Sequence, residues 1–522
     1  MNLLSTAEMT APTIGWASLT PVLIVLGGGV LGVLVEAFAP QRLRRPIGIG
    51  VSLLATLLAG AAIALRWRDV VASPSSLGEY IEDPLTLASQ FILVCVGFLA
   101  RLVSPDRTQG GDGAFAGQPS ARPGSGDEEL TLAKGYQRSE VFALVLFSLG
   151  GMMVFPAADS LITLFVALEV MSLPLYILTA TARRRRQLSQ EAALKYFLLG
   201  AFASAFLLMG SALLFGYSGS LKISEVATAL PTANGMDWLV VAGVFLVVVG
   251  LLFKIGAAPF HAWTPDVYTG APTPVTGFMA AGVKVAAFGA LLRFYQTVAA
   301  QLEWDLIGVL AVVALLTMVV GTFAGIVQDD VKRMLAYSSI AHAGFILIGV
   351  LSAHRGSAGA VLFYVLAYGL ATVGAFGVVT LVRSRDAEGA TGGETGTLER
   401  WAGLGRKSPM AAGAMLVFLL SFAGIPLTAG FIGKFVVFAD GFAGGLGWLV
   451  VVALVCSAIT AFYYFRLVKL MFFTEASERT VVVRSEGFTA VAVGVCALGT
   501  IVLGVFPNPV LSLLNQVVVL LP

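Results

Sequence analysis

Apolar residues run along this chain in long blocks separated by shorter polar ones, without the strict alternation of half-buried strands. Blocks at 17–38, 46–66, 84–103, 140–156, 159–180, 191–216, 236–258, 274–296, 304–327, 333–352, 357–382, 409–438, 446–472 and 487–506 read as helices, numbered 1 to 14 in chain order. At 1.5 Å per residue, such runs are long enough to cross roughly 30 Å of hydrocarbon. The terminal stretch PNPVLSLLNQVVVLLP is short and opens on Pro, so it reads as a further half-helix at the interface. The alternating segments of about ten residues that build a membrane barrel are absent. The pattern predicts an all-α polytopic membrane protein with about 14 transmembrane helices.

Two runs are interrupted: Pro259 breaks helix 7 and Pro426 breaks helix 12. The flanking strings GAAPFHAW and GIPLTAGF are alike, each a Gly followed within three residues by Pro and then by aromatic residues. Five helices separate them, so they run in opposite directions through the membrane. Inverted repeats with broken helices place polar backbone at mid-membrane in transporters, which predicts two inverted five-helix repeats, helices 4–8 and 9–13. The expected division is 1–103 for helices 1–3, 104–139 for a hydrophilic cytoplasmic loop, 140–300 and 301–472 for the repeats, and 473–522 for helix 14 and the C-terminal segment. Residues 104–129 have the Gly, Ser, Pro and charge content of disorder. Residues 383–409 form a second long loop, with Trp401 expected at the interface. The string Gly27-Gly28-Gly29-Val30-Leu31-Gly32 matches a dinucleotide fingerprint only on paper, because no strand precedes it inside helix 1; close helix packing explains it better.

Composition agrees with the pattern. Of 522 residues, 57% are hydrophobic and 12% charged, with a mean hydropathy of +0.89, against about 25% charged in soluble domains. The placement of charge matters more than its net value of +2. Loops joining odd to even helices hold 23 Lys and Arg, the opposite loops only five (Arg66, Arg68, Lys222, Arg293 and Arg355). By the positive-inside rule both termini of this multi-pass chain are expected to face away from the cytoplasm. The N-terminal run lacks a basic flank and reads as a retained span, not a cleaved signal. Cys95, Cys456 and Cys496 lie in apolar runs without a CxxC pair, so neither disulfide framework nor iron–sulfur site is expected. No nucleic-acid partner is expected.

Four basic residues remain inside helices: Lys195, Lys254, Lys284 and Lys434. A charge at the centre of a spanning helix costs about 2.5 to 3.5 kcal/mol, so each asks for a function and a partner. Lys284 and Lys434 lie too deep to snorkel; Lys254 is nearer a helix end; Lys195 follows Glu191 at i+4, the spacing of an ordinary surface pair. Glu169, between Leu168 and Val170, is a mid-helix carboxylate that a neighbouring lysine would keep ionised. His342 falls four residues after Ser338, on one face with it, in a position either to relay protons or to hold a packing hydrogen bond.

The strings KIGAAPFHAWTPDVYTGAPTPVT, DDVKRMLAYSSIAHAGF and AGIPLTAGFIGKF, with the mid-helix Glu169, resemble the antiporter-like subunits of respiratory complex I and of Mrp sodium/proton antiporters. The likeness covers helices 4 to 13. Within the family, the largest complex I member carries a long lateral helix and the middle one a Glu in helix 12; this chain stops soon after helix 14 and has Lys434. The resemblance implies proton translocation driven by quinone reduction in other subunits. It implies that Glu169 pairs with Lys254, that Lys284 relays, that Lys434 ends the path and that His342 is a further relay, with Lys195 a sixth candidate. No cofactor is expected on this chain; NAD, FMN, iron–sulfur clusters and quinone belong to partner subunits. The expected partners are an antiporter-like neighbour, small membrane-arm subunits and lipids. Two alternatives stand beside this: a subunit of an Mrp-type antiporter or membrane-bound hydrogenase, and a structural membrane subunit whose buried charges only set packing.

Overall fold

The computed structural model describes residues 15–107, 113–116, 125–127, 130, 140–230, 237–352, 358–385, 391–476, 480–483 and 486–519. Within them, helices occupy all fourteen expected positions. Helices 1 to 3 are Trp16–Phe38, Gln41–Ala72 and Pro84–Val103. Helix 4, Glu140–Val154, continues through a 3-10 turn, and helices 5 to 8 are Leu161–Thr179, Arg186–Ser218, Asp237–Ile255 and Thr273–Thr297. Helices 9 to 11 are Glu303–Ile326, Val331–Ser352 and Gly359–Leu381. Helix 12 comes as two halves, Pro409–Ala423 and Ala429–Ala443, followed by helix 13, Gly447–Phe473, and helix 14, Phe488–Val505. Among the described residues thirteen helices are long and apolar enough to cross a membrane; each half of helix 12 has only 15 residues. The short helix Asn508–Leu514 opens the terminal segment.

Burial grades from the middle outward. The whole apolar window of helix 8 is inside the molecule and 94% of those of helices 10 and 11, against 33% for helices 1, 2 and 14. The outer helices keep apolar side chains on their exposed faces, such as Leu194, Phe202 and Met209 of helix 6, because their solvent is hydrocarbon. Close approach therefore depends on small residues more than on expelled water. A Cβ at Gly321 of helix 9 would lie 2.3 Å from the backbone nitrogen of Ala341 of helix 10. The glycine run of helix 1 does the same work: a Cβ at Gly28 would meet that of Ala55 at 2.6 Å.

Arg293 and Arg101, both counted with loops, are buried inside helices. Arg293, buried in helix 8, donates to both carboxylate oxygens of Asp83 at 3.0 and 2.8 Å, to Thr86 Oγ1 at 2.9 Å and to the Pro156 carbonyl at 2.6 Å. Asp83 in turn caps helix 3 by accepting from the Thr86 amide. Bidentate geometry and further hydrogen bonds are what make burial of such a pair tolerable. Arg101, in the last turn of helix 3, is buried against Thr56 of helix 2.

The loop at 383–409 is more ordered than its composition suggests. Strand β1 (Val382–Arg385) pairs antiparallel with β2 (Thr391–Glu394) and with β3 (Thr480–Val482), which comes from the connection after helix 13. Trp401, expected at the interface, is instead fully buried and donates to the Thr395 carbonyl at 3.2 Å. Of the loop at 104–139, Phe115 forms a bridge to Ala182; most of the segment read as disordered lies outside the described residues.

Candidate functional site

Helices 7 and 12 stop in the same way. In helix 7 the Ala257 amide donates to Leu252 O at 3.0 Å and the Gly256 amide to Phe253 O at 3.1 Å; Gly256 has a φ of +75°. In helix 12 the Ile425 amide donates to Leu420 O at 3.0 Å and the Gly424 amide to Ser421 O at 3.1 Å; Gly424 has a φ of +79°. Both are Schellman caps, whose left-handed position suits Gly because a Cβ is penalised there. The glycines end the helices, and Pro259 and Pro426 follow two or three residues later, where neither can resume the hydrogen-bond ladder. Each cap leaves the last two carbonyls of its half-helix without an intrahelical partner, at the negative end of the helix dipole.

Lysines take those carbonyls. Lys284 Nζ, from helix 8, donates to Ile255 O at the end of the first half of helix 7, at 2.9 Å, and to Ser339 O of helix 10 at 2.8 Å. Lys434 Nζ, from the second half of helix 12, donates to Phe422 O at 2.8 Å, Ala423 O at 3.0 Å and Ser457 Oγ of helix 13 at 2.7 Å. Both side chains are buried, and each ammonium faces an aromatic ring as well, Tyr368 at 5.7 Å from Lys284 and Phe345 at 5.1 Å from Lys434.

Lys254 is the most enclosed of the three, with 1% of its surface exposed. Its ammonium donates to Ser172 Oγ of helix 5 at 2.8 Å and lies 5.6 to 5.7 Å from the rings of Tyr176, Tyr196 and Phe253. Glu169, three residues before Ser172, is half-buried and accepts from Ser204 of helix 6. No ion pair within 4.0 Å joins Glu169 to Lys254; Ser172, one helical turn after Glu169 on helix 5, is the group that meets the ammonium. His342, buried in helix 10, holds Tyr364 Oη at 2.8 Å through Nδ1.

Lys195 stands apart from this line. Its side chain is 43% exposed and pairs with Glu191 at 2.7 Å and Asp266 at 2.8 Å, and Asp266 also accepts from Arg333 at 2.9 Å. This is the surface pair its i,i+4 spacing allowed, extended to the second half-helix of helix 7, Trp263–Gly270.

The hydroxyls and carbonyls that hold the lysines escaped the sequence. Ser172 carried a signal, one helical turn after Glu169, and Ser339 follows Ser338 before His342. Ser204 and Ser457 carried none, because their partners are on other helices.

With this geometry in hand, the relatives are informative. The transmembrane family described as NADH:quinone oxidoreductase/Mrp antiporter matches residues 158–460. NADH-quinone oxidoreductase subunit N of Beutenbergia cavernae is 57% identical over 520 residues, covering 97% of this chain and 98% of that protein. A chain in the structure of respiratory complex I from Thermus thermophilus with bound aureothin is 35% identical and superposes with a TM-score of 0.76 over 95% of this chain and 100% of that one. A chain of the Mrp complex from Dietzia sp. DQ12-45-1b, at 20% identity, has the same fold, with a TM-score of 0.78 over 96% of this chain and 97% of that one. The chain belongs to the antiporter-like membrane subunits of this family. Its place among them is with NADH-quinone oxidoreductase subunit N, part of a multisubunit NADH:quinone oxidoreductase.

Proposed function

We infer that this chain moves protons across a bacterial plasma membrane as a membrane-arm subunit of an NADH:quinone oxidoreductase, driven by quinone reduction in other subunits. One observation carries the reading: Lys254, Lys284 and Lys434 are all buried, and their ammonium groups are held only by hydroxyls, carbonyls and ring faces among the described residues. Such a lysine donates to these groups as ammonium and accepts from the hydroxyls as amine. Its proton leaves without stranding a bonded carboxylate, which loss from a buried ion pair would do. Glu169 supplies the bias. Its helix presents Ser172 to the Lys254 ammonium while the carboxylate itself is held by Ser204, so a displacement of helix 5 that brings Glu169 closer would strengthen the attraction in a medium of low dielectric.

In this reading Lys254, Lys284, His342 and Lys434 form the mid-membrane line, and the caps of helices 7 and 12 are its two polar stations. The two five-helix units, 140–300 and 301–472, are inverted repeats that supply one station each. Both termini face away from the cytoplasm. The partners are an antiporter-like neighbour, small membrane-arm subunits and lipids, and NAD, FMN, iron–sulfur clusters and quinone are bound by partner subunits.

The test is transport by the assembled complex in vesicles, measured as protons moved per quinone reduced. Lys254→Ala is expected to abolish most of it; an assembled variant that pumps fully would remove Lys254 from the path. Replacing sodium by choline in the same assay tests the sodium/proton antiporter alternative: transport that needs sodium would overturn the proton reading.

A further inference from the structure

His342 is held at both ring nitrogens, and the second partner is a residue with no role above. Nε2 lies 3.4 Å from Tyr464 Oη of helix 13, opposite Tyr364 of helix 11 on Nδ1. Tyr464 Oη also bonds Ser338 Oγ, one helical turn before His342. All four side chains are buried, and Phe345, Tyr368 and Phe422 pack around the imidazole with ring centroids 5.2 to 5.7 Å away.

Each end of this row lies beside a chain neighbour that contacts or precedes one of the two lysines. Ser338 adjoins Ser339, whose carbonyl holds Lys284. Tyr364 packs on Gly433, where a Cβ would lie 3.1 Å from the Tyr364 ring, and Gly433 immediately precedes Lys434. A neutral imidazole has one N–H and one bare nitrogen, so it donates to one tyrosine while accepting from the other.

We propose that Ser338, Tyr464, His342 and Tyr364 form a hydroxyl–imidazole–hydroxyl bridge that carries protons between Lys284 and Lys434, and that Tyr464 is its indispensable donor; the proposal rests on the proton-transport reading. In the forward step the Tyr464 O–H bond breaks as Nε2 gains that proton, and the Nδ1–H proton passes to Tyr364 Oη. Tyr364 releases one proton to Lys434 in its amine form. Tyr464 is refilled from Ser338 Oγ, which regains its proton from the Lys284 ammonium through water. The net change is one proton lost by Lys284 and one gained by Lys434. The ring then carries its proton on Nε2 and cannot pass a second until the first tautomer is restored. The bridge therefore moves protons singly, one per reset.

Tyr464→Phe in the assembled complex keeps the ring contacts with Phe422 and Tyr463 and removes only the hydroxyl. The expected result is a loss of about tenfold or more in protons moved per quinone reduced, in the range that a positioned proton-transfer group supplies. Tyr364→Phe should give the same loss from the other side of the ring. Tyr295→Phe, which removes an equally buried hydroxyl at the far end of helix 8, should pump normally. Lys434→Met separates the two levels of inference. If Lys434→Met is inactive while both tyrosine variants pump as the unaltered complex does, the bridge is wrong and the transport reading stands. Full pumping by Lys434→Met overturns the transport reading itself, and equal losses in all three tyrosine variants would make the effect one of packing and overturn the bridge.

Discussion

The breaks in helices 7 and 12 are built on one plan and used in two ways. Both first halves end in the same Schellman cap on a left-handed Gly, and an ammonium group takes one freed carbonyl at helix 7, Ile255 O, and two at helix 12, Phe422 O and Ala423 O. At helix 12 the cation is its own: Lys434 comes from the second half and reaches back across the break to two carbonyls and a serine. At helix 7 the cation is borrowed from helix 8, and the helix's own lysine, Lys254, sits one residue before the end of the half-helix and turns toward helix 5. Ten residues after the capping glycine, where helix 12 has Lys434, helix 7 has Asp266, which is engaged with Lys195 and Arg333. In the proposed line, each polar station joins freed carbonyls to one ammonium, delivered by helix 8 at one break and by the second half of helix 12 at the other. The difference gives the helix 7 region a second lysine with no carbonyl of its own, held by a single serine on the helix that carries Glu169.

Removing the cations should have the largest effect. Lys284→Met and Lys434→Met each strip one station of its ammonium, and proton transport per quinone reduced by the assembled complex should fall on the order of 100-fold. A variant of one station that pumps normally would show that the two are not in series. Glu169→Gln comes next, because it keeps the hydrogen bond with Ser204 within reach and removes only a through-space attraction. Transport in vesicles should drop several-fold, and unchanged coupling would sink the idea that Glu169 biases Lys254.

The serines sharpen the contrast between the stations. Ser172→Ala takes the one hydrogen-bond partner seen for Lys254, while Ser457→Ala leaves Lys434 its two carbonyls. With a bond to a charged group contributing about 1.5 to 3 kcal/mol, Ser172→Ala should slow coupled turnover about tenfold and Ser457→Ala much less. Equal effects would mean that the carbonyls at the helix 12 cap do not hold the ammonium. The smallest changes are expected from Gly256→Ala and Gly424→Ala, which place a Cβ at a left-handed position for about 1 to 2 kcal/mol. In both, the atom met at 2.9 Å belongs to a side chain, Thr264 Oγ1 at Gly256 and Lys434 Cδ at Gly424. Both should lower the temperature at which the complex dissociates by a few degrees, and Gly424→Ala alone should also displace a lysine and reduce transport.

The helices themselves were legible residue by residue. Fourteen apolar runs predicted fourteen positions, and the ends of Pro84–Val103 and Val331–Ser352 fall within two residues of the runs. In a bilayer every backbone polar group must be paired within its own segment, so length and apolarity nearly dictate a helix. The same rule exposed Glu169, Lys254, Lys284 and Lys434, because a charge in an apolar run is rare and conspicuous. Arg101 and Arg293 were misplaced among the loops, since a pattern cannot tell a helix end in water from one whose arginine finds Asp83 or Thr56 inside the bundle.

The sequence by itself determined the spans, the two breaks and that Glu169, Lys254, Lys284 and Lys434 fall inside apolar runs, because each of these follows from local apolarity and from the backbone limits of Gly and Pro. Only the tertiary structure decided what each charge touches: that Lys254 rests on Ser172 and not on Glu169, that Lys284 caps helix 7, that Lys195 belongs to the surface, and that two tyrosines close on His342. Those contacts join helices far apart in the chain. They depend on crossing geometry set by small residues such as Gly321 and Gly433, whose effect appears only when a neighbouring helix is packed against them.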